Sequence, residues 1–133
     1  MKRKDGFTLV ELLAVIAILA ILIIIALPNI LRMFNNAKKN SFVTEARSIF
    51  KTAEQNYITS NGEEWCYSNN YSGCGDLNMT GRTNVYYYVE FDNSGGIDYI
   101  EVMDDNYYIE LYGEGPVSVE EISAENIQER NLD

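Results

Sequence analysis

One uninterrupted run of apolar residues constrains this chain more than any other feature. Leu12 to Leu27 holds sixteen apolar residues in a row, and with Phe7-Thr8-Leu9-Val10-Glu11 in front the stretch reaches 21. As a helix it measures ~32 Å at ~1.5 Å per residue, the thickness of a bilayer's hydrocarbon core at about 30 Å. The residues before it, Lys2-Arg3-Lys4-Asp5-Gly6, are mostly basic. Such a leader stays on the cytoplasmic side and sends the remainder outward. Arg32, Lys38 and Lys39 on the far flank weaken the asymmetry, but they lie on the longer, translocated side.

A secretory signal peptide also has a charged start and an apolar middle. Three features oppose that reading. A carboxylate, Glu11, opens the apolar run, where a charge is costly and usually functional. No Ala-x-Ala site ends the run, since Ala14, Ala17 and Ala20 are spaced by three and Ala26-Leu27-Pro28 does not fit. The run is also longer than a signal peptide's apolar region. An uncleaved single-span anchor is the plainer alternative.

Gly6-Phe7-Thr8-Leu9-Val10-Glu11-Leu12-Leu13 resembles the class III signal of type IV prepilins and type II secretion pseudopilins. The similarity covers roughly the first thirty residues, including Pro28 at the end of the apolar run. A basic leader, a Gly, an aromatic, a buried Glu and a spanning helix have no reason to coincide in an ordinary anchor. The resemblance implies that a prepilin peptidase cuts between Gly6 and Phe7 and methylates the new amine of Phe7. It implies that Glu11 pairs with the Phe7 amine of a neighbouring subunit and sets the register of assembly. A carboxylate alone in an oily filament core is strongly disfavoured, and a methylated amine keeps its charge. Pro28 lacks an N–H and removes the helical bond to the Ile24 carbonyl, so a kink or loosening is expected there.

After Pro28 the helical style continues to Ser60-Asn61-Gly62. Phe42, Ala46, Ile49, Phe50, Ala53 and Tyr57 recur at helical spacing and form one apolar stripe, with Lys39, Glu45, Arg47, Lys51 and Glu54 outside it. A single helix from Phe7 to about Thr59 is expected, with Gly62 as its stop. Ser48-Ile49-Phe50-Lys51 matches a Ser-x-x-Lys pattern, but its companion motifs are absent and a surface Ser beside a core stripe explains it.

Residues 60–84 are rich in Gly, Asn, Ser and Thr and read as a long loop. Cys66 and Cys74 fall inside it. If the domain faces outward they form a disulfide; two free thiols are the alternative. A metal site lacks ligands, because the chain has no His and only these two Cys. Three strand patterns follow as a meander over 85–112. Val85, Tyr87, Val89 and Phe91 share a face, as do Ile100 with Val102, and Tyr107 with Ile109 and Leu111. The other face carries Tyr86, Tyr88, Glu90, Glu101, Tyr108 and Glu110. An acidic tail, 113–133, is expected to hold a short helix over 124–130 capped by Ser123. The acidic turns around Asp92, Asp98, Asp104, Asp105 and Glu114 lack EF-hand spacing and read as solvated surface.

Charge divides the chain. Eight of the 10 basic residues lie within the first 51 positions, and 17 of the 20 acidic residues lie beyond them. A net charge of -10 opposes a nucleic-acid-binding surface. The absence of His removes the commonest general base, and no hydrolase motif is present. Neither an enzyme nor a cofactor is expected.

The expected architecture is α+β and pilin-like. A leader (1–6) precedes a transmembrane and filament-core helix (7–28) and an extracytoplasmic domain (29–133), whose amphipathic helix packs on a small antiparallel sheet. The expected function is a structural subunit of a pilus or pseudopilus, serving secretion, DNA uptake, adhesion or motility. The alternative is a membrane-anchored binding module that does not polymerise. The resemblance implies prepilin peptidase, like subunits, an assembly platform with its ATPase, and the cytoplasmic membrane as partners. It places the chain first as a single-pass membrane protein and then in a surface or periplasmic filament.

Overall fold

A computed structural model describes residues 6–78 and 84–130. The basic leader of the sequence reading, apart from Gly6, lies outside the described residues, as does Arg82.

Helix α1 runs over Leu9–Thr59 and passes through Pro28. Its contacts divide it between two compact units, one ending at Ala37 and one beginning at Lys38. In the first unit no side chain from Gly6 to Ala37 is buried. Large apolar groups from Phe7 (76% exposed) to Phe34 (61% exposed) face outward on every side of the helix. At ~1.5–3 kcal/mol for each fully buried Val, Leu, Ile, Phe or Met side chain, covering them is worth on the order of 20 kcal/mol. That exceeds the ~5–15 kcal/mol by which a whole domain is stable. No described residue supplies that cover, and the segment is long and apolar enough to cross a membrane.

The second unit holds the core. Phe42, Ala46, Ile49, Phe50 and Ala53 of α1 are buried against an antiparallel sheet of β1 (Cys66–Ser68), β2 (Tyr86–Phe91), β3 (Ile97–Met103), β4 (Tyr107–Tyr112) and β5 (Gln128–Glu129), in that spatial order. This is the α+β arrangement read from the sequence, with five strands rather than three. The two additions are the edge strands, one drawn from the expected loop and one from the expected tail. Each is only two or three residues long, too short to show alternation. The inner face presents Tyr87, Val89, Phe91, Ile100, Val102 and Ile109 to the helix stripe. Tyr57 stacks on Phe91 with ring centroids 4.3 Å apart.

The helix ends in a Schellman motif. Gly62 N–H donates to Tyr57 O at 3.0 Å and Asn61 N–H to Ile58 O at 3.1 Å. Asn61 takes the left-handed φ of 58° at the stop position, so the stop expected of Gly62 falls one residue earlier. Gly62, at φ 79°, is held open by the Tyr57 hydroxyl, which would lie 3.2 Å from any added Cβ.

The register of β2 with β3 shifts at Glu90 and Phe91, which face Tyr99 and Ile97. Asp98 is thus an extra residue, a β-bulge. It lets Ile97 stay buried while Tyr99 joins Glu101 on the outer face, which simple alternation forbids. The tail is part of the fold. Val117, Ile122 and Ile127 are buried, Arg47 Nε donates to Ile122 O at 2.7 Å, and Arg130 Nη1 donates to Asp104 O at 2.6 Å. The helix expected over 124–130 is instead a 3₁₀ turn, Ala124–Asn126, followed by β5. Ser123 makes no side-chain cap there. Ser118 provides the capping box, for the 3₁₀ turn Val119–Glu121.

Candidate functional site

The start of α1 is built by two side chains. Thr8 N–H donates to Glu11 Oε2 at 3.2 Å, and Glu11 N–H donates to Thr8 Oγ1 at 3.1 Å. Thr8 O accepts the first helical bond, from Leu12 N–H at 3.0 Å. This is a reciprocal capping box, which satisfies two of the helix's orphan donors. It starts the helix at Leu9 and leaves Gly6 and Phe7 exposed in non-helical chain. A Cβ built on Gly6 meets nothing within 4 Å. The peptide between Gly6 and Phe7 consequently lies outside the helix, with four residues between it and Glu11. Glu11 Oε2 accepts one bond here, while a carboxylate offers about four lone-pair positions, so capacity remains for an ammonium. Sequence reading singled out Gly6, Phe7 and Glu11 but missed Thr8. The signal was present, as Thr8-x-x-Glu11 ahead of an apolar run.

The expected loop is tied down at several points. Cys66 and Cys74 form a disulfide. Asn69 Nδ2 donates to Val85 O at 2.6 Å and its Oδ1 accepts from Tyr87 N–H at 3.2 Å. The Tyr87 hydroxyl donates to Asp76 Oδ1 at 3.1 Å and accepts from Leu77 N–H at 3.0 Å. The acidic turns use their carboxylates on their own backbone. Asp92 Oδ1 accepts from Ser94 N–H and Gly96 N–H, both at 2.9 Å, and Asp104 Oδ1 accepts from Asn106 N–H at 2.8 Å and Tyr107 N–H at 2.7 Å. The Gly96 and Ser94 bonds hold the Asp92 carboxyl below its ordinary range. Among the described residues no group of three His, Cys, Asp or Glu gathers as a metal site.

The outer sheet face carries a ladder of tyrosines and glutamates. The Tyr88 hydroxyl donates to Glu90 Oε2 at 3.0 Å and the Tyr108 hydroxyl to Glu110 Oε1 at 3.1 Å. The Tyr99 hydroxyl lies 3.0 Å from Glu101 Oε2 and 2.5 Å from Glu110 Oε2. Burial, together with the neighbouring carboxylates, pushes Tyr99 well above its ordinary range and Tyr88 up to about 12. These phenols stay protonated and remain donors.

No curated protein and no solved structure matches the chain. A family model does match its start. Residues 1–27, which end on the apolar run and contain Gly6, Phe7, Thr8 and Glu11, carry the prokaryotic N-terminal methylation motif, the signal of type IV pilins and pseudopilins.

Proposed function

We propose that the chain is a structural filament subunit, cut between Gly6 and Phe7, methylated on the Phe7 amine, held in the cytoplasmic membrane by residues 7–28, and then drawn into a helical fibre. The observation that carries this reading is the capped carboxylate of Glu11 at the mouth of a helix whose apolar side chains find no cover among the described residues. In a bundle of such helices, the Phe7 ammonium of one copy supplies the counter-charge that Glu11 of the next requires. A buried pair of this kind adds little net stability but strongly penalises misalignment, because an unpaired buried charge costs ~3–5 kcal/mol. The domain beyond residue 28 would lie outside the membrane. Pro28 removes one helical bond at the edge of the apolar run, where assembly would need the helix to yield. Prepilin peptidase, like subunits and an ATP-driven assembly platform are the partners this reading requires.

The test is Glu11→Ala in cells that carry the processing and assembly machinery. Intact-mass spectrometry should show the mutant still losing residues 1–6 and gaining one methyl group, while sheared filaments contain none of it. Normal incorporation of Glu11→Ala would overturn the pairing. A mature chain still beginning at Met1, or beginning beyond Pro28, would overturn the whole reading.

A further inference from the structure

The outer face of the sheet is hollow as well as aromatic. A concavity of about 560 Å³ opens there, within the ~300–1,000 Å³ range of small-molecule sites. Its walls include Trp65, Tyr71, Tyr88 and Tyr99, and the carboxylates of Glu90 and Glu101. Trp65 is 55% exposed and Tyr71 56%, and both line the hollow. The rings meet edge to face, Tyr71 on Tyr88 at 5.4 Å and Tyr88 on Tyr99 at 5.8 Å between centroids. The disulfide closes the short ring that holds Tyr71, and both its cysteines line the hollow.

Charge and proton count select the occupant. No Lys or Arg lines the hollow among the described residues. Glu101 and Glu110 are direct cross-strand neighbours, a like-charge pair that destabilises a bare sheet. The Tyr99 hydroxyl proton stands between both carboxylates and satisfies only one at a time, while Tyr108 donates its own to Glu110. The Tyr88 proton is already spent on Glu90. Glu90 and Glu101 therefore meet no countercharge among the described lining residues, and the walls are π-faces. A primary ammonium brings three donors and a positive charge, which carboxylates bind and ring faces attract.

We propose that this hollow binds a small molecule bearing a primary alkylammonium group, its nitrogen between Glu90 and Glu101 and its methylene stem along Trp65, Tyr71 and Tyr88. The inference does not rest on the filament reading and holds whether or not the chain polymerises.

The chain's single tryptophan, Trp65, sits in the site and reports on it. The full-length protein in a maltoside detergent is titrated with 1,5-diaminopentane at constant ionic strength, following Trp65 emission. Saturable change with half-saturation below ~10 mM, absent with sodium chloride or 1-pentanol, is the expected result. Glu101→Gln relieves the like-charge pair and should leave the far-UV spectrum intact while weakening binding about five- to tenfold. Tyr71→Ala, on an exposed ring outside the core, should weaken it by a similar factor of roughly five. A response that is linear, matched by sodium, or unchanged in both variants overturns the site. Tighter binding of tetramethylammonium than of the diamine overturns the donor argument. Tighter binding of N-acetyl-lysine amide overturns the small-molecule assignment in favour of a protein lysine.

Discussion

Consider reduction of the Cys66–Cys74 bridge in the intact chain. The two residues have a sequence separation of 8, so the bond closes a short ring. In the chain-entropy view, a ring that size withholds about 2.5 kcal/mol of disorder from the unfolded state at 25 °C. The folded state has little reason to change when the bond opens. Gly75 N–H still donates to Cys66 O at 3.0 Å, Ser68 N–H to Gly75 O at 2.9 Å, and β1 stays paired with β2. With a urea slope of about 1.5 kcal/mol per molar for a domain near this size, the unfolding midpoint should fall by about 1.7 M. The measurement is equilibrium urea unfolding of the full chain in a maltoside detergent, with and without reductant, followed by near-UV circular dichroism and Trp65 emission. A midpoint shift below about 0.5 M at unchanged slope would refute the entropic account. A changed slope would show that β1 leaves the sheet when the bond is cut.

Other substitutions test the core and the polar groups within it. Phe42 is fully buried beside Tyr107, with centroids 5.8 Å apart, and Phe42→Ala should cost about 3–5 kcal/mol by the same unfolding assay. The Tyr67 hydroxyl is buried with no hydrogen-bond partner among the described residues, so Tyr67→Phe should be neutral or stabilise by up to ~1 kcal/mol. Burial pushes Tyr87 and Tyr88 from 10.0 up to about 12 in the folded chain. Between pH 10 and 12 the unfolded chain therefore holds fewer protons than the folded one, and stability falls as pH rises through that window while remaining intact below it. Urea midpoints at pH 9 and pH 11, read alongside tyrosinate absorbance, check the sign.

Much of the candidate site was legible because its signals are local. A spanning apolar run, one carboxylate at its head and a Gly-Phe pair before it are adjacent in the chain, and each has a physical cost that limits its alternatives. The helix stripe from Phe42 to Tyr57 was legible for the same reason, since a 3.6-residue period repeats within a few turns. Thr8 belongs to the same local signal, but its capping role is defined by the reciprocal hydrogen bonds it makes with Glu11 in the folded helix.

What the sequence alone determined is therefore what depends on near neighbours: the apolar helix, the buried stripe, the three long strands and the position of the turn at Asn61 and Gly62. Tertiary structure decided what depends on partners far along the chain. β1 and β5 are strands only because β2 and β4 offer them open edges. Tyr99 faces outward only because Asp98 bulges against β2. Two glutamates that share one tyrosine proton come from β3 and β4, and nothing in either strand reveals the other. Periodicity reports a residue's own element, whereas a cross-strand pair exists only once the register is set.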